Sequence, residues 1–158
     1  MEKGQNNLVL PPEFSGPPQL ILFTRYGDPR EPGWENKWII NWKVQQLHPW
    51  FPTEGIRIHK HFWPILRDAF LELESVGLHK EIKSCHTCHE VGNLHKSAVL
   101  SVHSWGGGID LNEKDNPPDS PGNWSPEFIH IMTKHGISCG INWTVIKHPC
   151  HFAMVDGE

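Results

Sequence analysis

The segment Ser101–Asp110 places the strongest constraint on how this chain can fold, because it has one potential metal ligand on each side of three consecutive glycines. His103 precedes Gly106–Gly108 and Asp110 follows them; without side chains, the glycine backbone can bend or pack tightly between the two ligands. A second histidine, His151, follows in a later segment. Two histidines and one aspartate can hold a zinc ion and leave a fourth position open, which is typical of hydrolytic rather than structural sites. The fold must therefore bring these three residues together.

The composition favours one domain and excludes some functions. A chain of 158 residues can bury about two thirds of its unfolded surface. Its formal net charge of −4 argues against nucleic acid as a partner, because phosphate binding needs a basic surface. Most of the twelve histidines are expected on the surface, and the eight tryptophans are expected to build an aromatic core and to line a cleft. We expect a monomer.

The N-terminus and the hydropathy bear on location. Glu2 and Lys3 are followed by polar residues, so no secretory signal of the usual kind is expected. No stretch approaches the roughly 20 apolar residues that span a bilayer, so no membrane insertion is expected. We therefore expect synthesis in the cytoplasm, with all four cysteines made as thiols: Cys85, Cys88, Cys139 and Cys150.

The pattern of apolar and turn residues predicts an α+β fold, with a small antiparallel sheet flanked by helices. Residues 1–19 are proline-rich and read as an extended arm, followed by a single domain over 20–158. Helical spacing predicts a helix over 62–76, and Ser125-Pro126 predicts the start of a second helix that ends at Gly136. Strands are expected over 20–24, 98–103, 108–111 and 141–146, with a further one over 152–155.

Two blocks of sequence together resemble one family. Ser101–Asp110 follows the pattern Ser-x-His-x-x-Gly-x-(small)-x-Asp, and Gly136–Trp143 with His148–Phe152 follows that family's second block. Over about residues 55–153 the chain resembles the zinc peptidases of the D-alanyl-D-alanine carboxypeptidase and L-alanyl-D-glutamate endopeptidase family, which includes VanY-like enzymes and many phage endolysins. The resemblance implies the LAS-type fold, shared with hedgehog and D-Ala-D-Ala peptidases.

The same resemblance implies roles for individual residues. His103, Asp110 and His151 would bind one zinc ion, and the substrate would be a peptidoglycan peptide. Ser101 and Trp143 are candidate substrate-binding residues, although Ser101 also reads as an ordinary strand serine. Lys96 is a third candidate, since the family often carries an arginine in that region; the alternative is a solvated loop lysine.

His148 departs from the family pattern. Three residues before its second histidine ligand, the family has an acidic general base, and here that position holds His148. Histidine can accept a proton near neutral pH, so His148 is the candidate catalytic base. Two alternatives stay open. His148 could be a fourth ligand that closes a non-catalytic site, or a bystander while Glu90, Asp156 or Glu158 serves as the base. Ala153 also replaces the acidic or amide residue that commonly follows His-Phe.

The pair Cys85-x-x-Cys88 resembles half of a zinc knuckle. A full site needs two more ligands, so a second, structural zinc is not expected, and a redox role is expected even less. Cys150 is expected to point away from the metal, since it neighbours His151 on a predicted strand.

The sequence thus predicts a zinc peptidase that cleaves peptidoglycan stem peptides, as an L-alanyl-D-glutamate endopeptidase or a D,D-carboxypeptidase. By analogy with stand-alone lysins, it would act on the cell wall after release by a phage or as part of a virion. The alternative is a zinc-binding pseudo-peptidase that binds wall peptide, or has a structural role, without turnover.

Overall fold

A computed structural model describes residues 10–86, 88–94 and 97–157 of the chain. Within these residues the α-helices are α1 Pro17–Tyr26, α2 Trp34–Trp38, α3 Trp63–Ser75 and α4 Pro126–Lys134. Five strands are β1 Ile39–Trp42, β2 Ile56–His59, β3 Gly108–Asp110, β4 Ser138–Gly140 and β5 His148–Ala153. Four short 3-10 helices are Pro12–Phe14, Val44–Gln46, Leu78–Glu81 and Val102–Trp105. The predicted α+β class is confirmed at this level, and none of the described helices is long and apolar enough to cross a membrane.

The strands form two small antiparallel sheets rather than the single one predicted. β1 pairs with β2 in a two-stranded sheet, and the second sheet has the strand order β3-β5-β4. β5 is the central strand, with Asp110 of β3 directly opposite His151. The register therefore brings together two predicted ligands that are distant in sequence.

The two predicted helices are confirmed, and their ends follow local rules. Pro64 lies in the first turn of α3, where its missing N–H costs no hydrogen bond, and Gly77 follows the helix with φ of 78°. Ser125 caps α4 by accepting a hydrogen bond from the Phe128 N–H at 3.2 Å. The apolar faces of both helices are buried.

Two hydrophobic clusters support the sheets. The larger contains the buried faces of α3 and α4 together with Ile109 and Phe152 from the three-stranded sheet. The smaller surrounds the fully buried Trp105 and includes Phe14 and Trp34. Because Trp105 lies two residues after His103, this second cluster anchors the segment that carries the first ligand.

Two N-terminal predictions are wrong where the structure describes the chain. Residues 20–24 belong to α1, since Pro17-Pro18 begin a helix and a short apolar run cannot by itself distinguish helix from strand. The extended arm is wrong for residues 12–19, because Phe14 and Gln19 are buried. Residues 1–9 lie outside the described part, and the domain boundary at residue 20 stays a prediction.

Three strand predictions also need correction. Residues 98–103 do not form a strand: Leu100 makes an isolated bridge to Asn93, and the 3-10 helix Val102–Trp105 follows. Residues 141–146 form a loop, in which Val145 is 92% exposed, and the strand before it is 138–140. The last strand begins earlier than predicted and covers 148–153. The strand predicted over 108–111 is confirmed as β3.

Candidate metal centre

The three predicted ligands converge on one point. Oδ1 of Asp110 lies 3.3 Å from Nε2 of His103 and 3.2 Å from Nδ1 of His151. Ligand atoms at the corners of a tetrahedron with metal bonds of about 2.0 to 2.1 Å stand about 3.3 Å apart. These two distances therefore fit one zinc-sized cation, and the donor atoms of His103 and His151 lie within 4.8 Å of each other. All three residues are more than nine tenths buried.

Gly108 makes this convergence possible. A Cβ at this position would lie 2.9 Å from Cε1 of His151 and 3.2 Å from Cε1 of His103. Both distances are shorter than ordinary carbon–carbon contacts of about 3.5 to 4.0 Å. Gly106, with φ of 65°, ends the 3-10 helix, where a Cβ would lie 2.8 Å from the His59 backbone nitrogen. The prediction that these glycines allow tight packing between the ligands is confirmed.

Local hydrogen bonds orient His103. The Ser101 hydroxyl accepts a hydrogen bond from the His103 backbone N–H at 3.2 Å and so caps the 3-10 helix. The ring Nδ1–H donates to the Cys88 carbonyl oxygen at 2.9 Å, since a carbonyl can only accept. In the neutral ring this leaves the lone pair of Nε2 facing Asp110, as metal binding requires.

Ring contacts hold His151. Its ring lies 5.4 Å from that of Trp143 and 5.6 Å from that of His148, nearly parallel to the latter with an interplanar angle of 11°. Burial lowers the pKa of His151, and the hydrogen bond to Asp110 only partly opposes this effect. His151 is therefore neutral near pH 7, which is the form that binds metals.

The charges suit a cation. Burial alone would raise the pKa of Asp110, but hydrogen bonds from His103 and His151 lower it well below the ordinary range. Burial would likewise lower the pKa of His103, and its contact with Asp110 raises it instead. The site thus offers one carboxylate and two imidazoles, which would leave a bound divalent ion with a net charge of about +1.

His148 stands beside the metal ligands. One of its ring nitrogens, the Cys150 sulfur and an Asp110 carboxylate oxygen all lie within 4.8 Å of one another. This corrects the expectation that Cys150 points away from the centre: the bulge near Gly140 disturbs the regular alternation of β5. His148, a possible base, and Cys150, a possible additional ligand, therefore both lie close to Asp110.

The segment around Cys85 and Cys88 lies against the same centre. The His86 backbone N–H donates to the Asp110 carbonyl at 3.0 Å, and Cys85 makes an isolated bridge to Leu111. Neither cysteine belongs to a group of three metal ligands among the described residues. This cysteine pair is recognisable in the sequence, but its contact with His103 is not, because the contact is made by a backbone carbonyl, which every residue possesses.

Among the substrate-binding candidates, Trp143 adjoins the centre. Its ring contacts both His148 and His151, and it borders a surface depression of about 550 Å³ that Val145 and Asp156 also line. Ser101 contacts the His103 backbone, so it orients a ligand, and its contact with substrate stays a prediction. Lys96 lies outside the described residues.

Two of the three alternative bases lie within the described residues. Asp156 accepts a hydrogen bond from the Ser138 hydroxyl at 2.8 Å. The backbone N–H of Glu90 donates to the His103 carbonyl, while Glu158 lies outside the described residues. Among the described candidates, His148 has a ring that stacks on the predicted ligand His151.

Comparison with known proteins supports the family over the C-terminal part. Residues 95–154 match the family model described as D-alanyl-D-alanine carboxypeptidase, and this span contains all three ligands and His148. The match supports the predicted resemblance and indicates a peptidase, although it begins well after residue 55, where the sequence resemblance was placed. No curated protein and no solved structure matches the chain.

Proposed function

We propose that this chain is a zinc-dependent peptidase that cleaves stem peptides of bacterial peptidoglycan, as an L-alanyl-D-glutamate endopeptidase or a D,D-carboxypeptidase. The main support is the convergence of His103, Asp110 and His151, with both histidine nitrogens 3.2 to 3.3 Å from Asp110, inside the span that matches the carboxypeptidase family. The LAS-type fold is part of the proposal. So is action at the cell wall as a phage lysin, by analogy with the family's endolysins.

The three ligands would hold the ion on one side and leave a position open for water and substrate. A zinc ion there would polarise the peptide carbonyl and lower the pKa of the attacking water. Asp110 stays ionised, and with both imidazoles in the neutral form that binds metals, a bound divalent ion would keep a net charge of about +1.

His148 is proposed as the general base. Its partly buried ring stacks on His151 and has a nitrogen near the Asp110 carboxylate. These contacts support a position for His148 beside a water that the ion would hold. It would take a proton from that water and pass it to the leaving amine. Trp143, with its ring against both histidines, would form one wall for the substrate peptide.

One observation favours a second function. The nitrogen of His148 that lies within 4.8 Å of Asp110 could bind the ion as a fourth protein ligand. Four protein ligands close a zinc site and make it structural. The chain would then be a pseudo-peptidase that binds wall peptide without cleaving it.

Digestion of isolated peptidoglycan tests the proposal. The zinc-loaded protein should release fragments that mass spectrometry identifies, and a chelator should prevent their release. His148→Ala should lower the rate by about 10²- to 10⁴-fold, the usual contribution of a general base. The matched control is His130→Ala, which removes a histidine on α4 that belongs to neither group of candidate metal ligands. This variant should cleave peptidoglycan at the parental rate.

His148→Asp distinguishes the two functions. If His148 is the base, an aspartate should support similar or moderately altered turnover with zinc still bound. A large gain in cleavage over an inactive parent would support the pseudo-peptidase instead. If the parent binds no zinc, both functions are refuted.

A further inference from the structure

Two cysteine thiols stand next to each other at the edge of the metal centre. The sulfur atoms of Cys85 and Cys88 lie 3.6 Å apart, and both residues are only partly buried. Cys139 and Cys150, in contrast, are 1% and 0% exposed. An oxidant from solution would therefore reach the first pair much more readily than the other two cysteines.

The backbone of this pair contacts two of the three metal ligands. The Cys88 carbonyl accepts the hydrogen bond from His103 Nδ1 at 2.9 Å. Between the cysteines, the His86 N–H donates to the Asp110 carbonyl at 3.0 Å. A change in the cysteine segment is thus transmitted directly to the ligands.

We infer that Cys85 and Cys88 form a reversible disulfide that weakens metal binding through His103. The oxidant would be a small disulfide such as oxidised glutathione. One cysteine thiolate attacks it, forming a mixed disulfide and releasing one glutathione thiolate. The second cysteine thiolate then attacks the mixed disulfide and releases the other. The protein loses two electrons and two protons, and the small disulfide is reduced to two thiols.

The geometry indicates how the disulfide would act. A disulfide bond is about 2.05 Å long, so the sulfurs must approach each other by about 1.5 Å. The Cys85 end is held by its bridge to Leu111 and by the neighbouring bond from His86 to Asp110. Movement of Cys88 towards Cys85 would displace the Cys88 carbonyl, which accepts the hydrogen bond from the His103 ring.

Loss of that hydrogen bond removes the contact that fixes the orientation and tautomer of His103. Changes to such partners of metal-binding histidines lower metal affinity by about 10- to 100-fold. The oxidised protein should therefore bind zinc about 10- to 100-fold more weakly than the reduced protein. A thiol reductant should restore the original zinc affinity. This second half of the inference rests on the proposed metal centre, whereas disulfide formation does not.

The test has two separate measurements on the full chain. The protein is equilibrated with mixtures of oxidised and reduced glutathione, and mass spectrometry of proteolytic peptides locates any disulfide. Zinc affinity is then measured by competition with a chromophoric chelator, for the oxidised and the reduced protein. Cys85→Ser with Cys88→Ser keeps the Cys88 carbonyl and should make zinc affinity insensitive to glutathione. Cys139→Ser, at a buried cysteine outside the pair, should respond like the parent.

Each result supports or overturns the inference. A Cys85–Cys88 disulfide, with zinc affinity lowered at least 10-fold and restored by reductant, supports it. An absence of this disulfide, or a disulfide with unchanged zinc affinity, overturns it. If the reduced protein binds no zinc, the proposed metal centre and its coupling to the cysteines fail together, while the peptide analysis still reports on the disulfide.

Discussion

Replacement of Gly108 by alanine tests whether the ligand rings must approach this glycine to hold zinc. The new methyl carbon would lie 2.9 Å from Cε1 of His151 and 3.2 Å from Cε1 of His103. Ordinary carbon contacts begin near about 3.5 Å, so each ring must retreat by about 0.3 to 0.6 Å or more. Metal–ligand distances tolerate only about 0.2 Å of change. The variant should therefore bind zinc at least about 10-fold more weakly, which corresponds to about 1.4 kcal/mol or more.

The same substitution has a smaller effect on folding. Overpacking a buried site costs about 1 to 3 kcal/mol, and replacing glycine by alanine returns about 0.4 to 1 kcal/mol by restricting the unfolded chain. The free energy of unfolding without zinc should thus fall by about 0 to 2.6 kcal/mol, so most of the variant should remain folded while zinc affinity is measured by chelator competition.

Gly92→Ala is the matched control, because a Cβ at Gly92 would meet no atom within 4 Å. It should bind zinc like the parent. If Gly108→Ala also binds zinc with parental affinity and folds normally, the ligand rings do not converge at this glycine, and the geometry argued for the centre is wrong.

Three further measurements follow from other contacts. Burial lowers the pKa of His59 from 6.5 to about 3, so stability should be full above pH 6.5 and fall by up to about 4 to 5 kcal/mol as the pH drops towards 3. Urea titrations at several pH values across this range give the free energy of unfolding, which should depend less on pH in His59→Phe than in the parent. The same pH dependence in both would contradict the role given to His59. Ser125→Ala should lower the free energy of unfolding by about 0.5 to 2 kcal/mol, because the Phe128 N–H loses its cap. Ser120→Ala is the control and should cost less, since the partly exposed Ser120 donates only to the Pro117 carbonyl three residues before it. Zinc at 100 times its Kd should stabilise the parent by about 2.7 kcal/mol but should not stabilise His103→Ala, and equal stabilisation of both would place zinc elsewhere.

The three candidate ligands, which the structure brings together, could be recognised because their side chains carry the relevant chemistry. His103, Asp110 and His151 are residue types that bind zinc, and glycine between them signals close packing. The helices α3 and α4 were predictable as well, since apolar spacing and caps mark them locally. These features depend on near neighbours in the sequence.

The features that sequence reasoning missed depend on distant partners. The apolar run over 20–24 is compatible with either a helix or a strand. In the structure it is helical, and it packs in the same hydrophobic cluster as Trp105. The contact of Cys88 with His103 uses a backbone carbonyl, which every residue possesses. The approach of Cys150 to Asp110 depends on a bulge in the pairing of β4 with β5, which no local pattern predicts.

The three candidate ligands differ in how the protein holds them in position. This difference indicates which of them can move independently of the others. Asp110 and His151 are cross-strand partners, so the backbone hydrogen bonds of the sheet set their spacing. His103 lies outside the sheet on a single 3-10 turn, oriented by the Ser101 hydroxyl and the Cys88 carbonyl. A change at either partner can therefore move His103 without disturbing the other two ligands. Metal affinity in this protein should respond most to the residues that contact the His103 ring, Gly108 among them, while changes that break the backbone pairing of β3 with β5 should unfold the sheet.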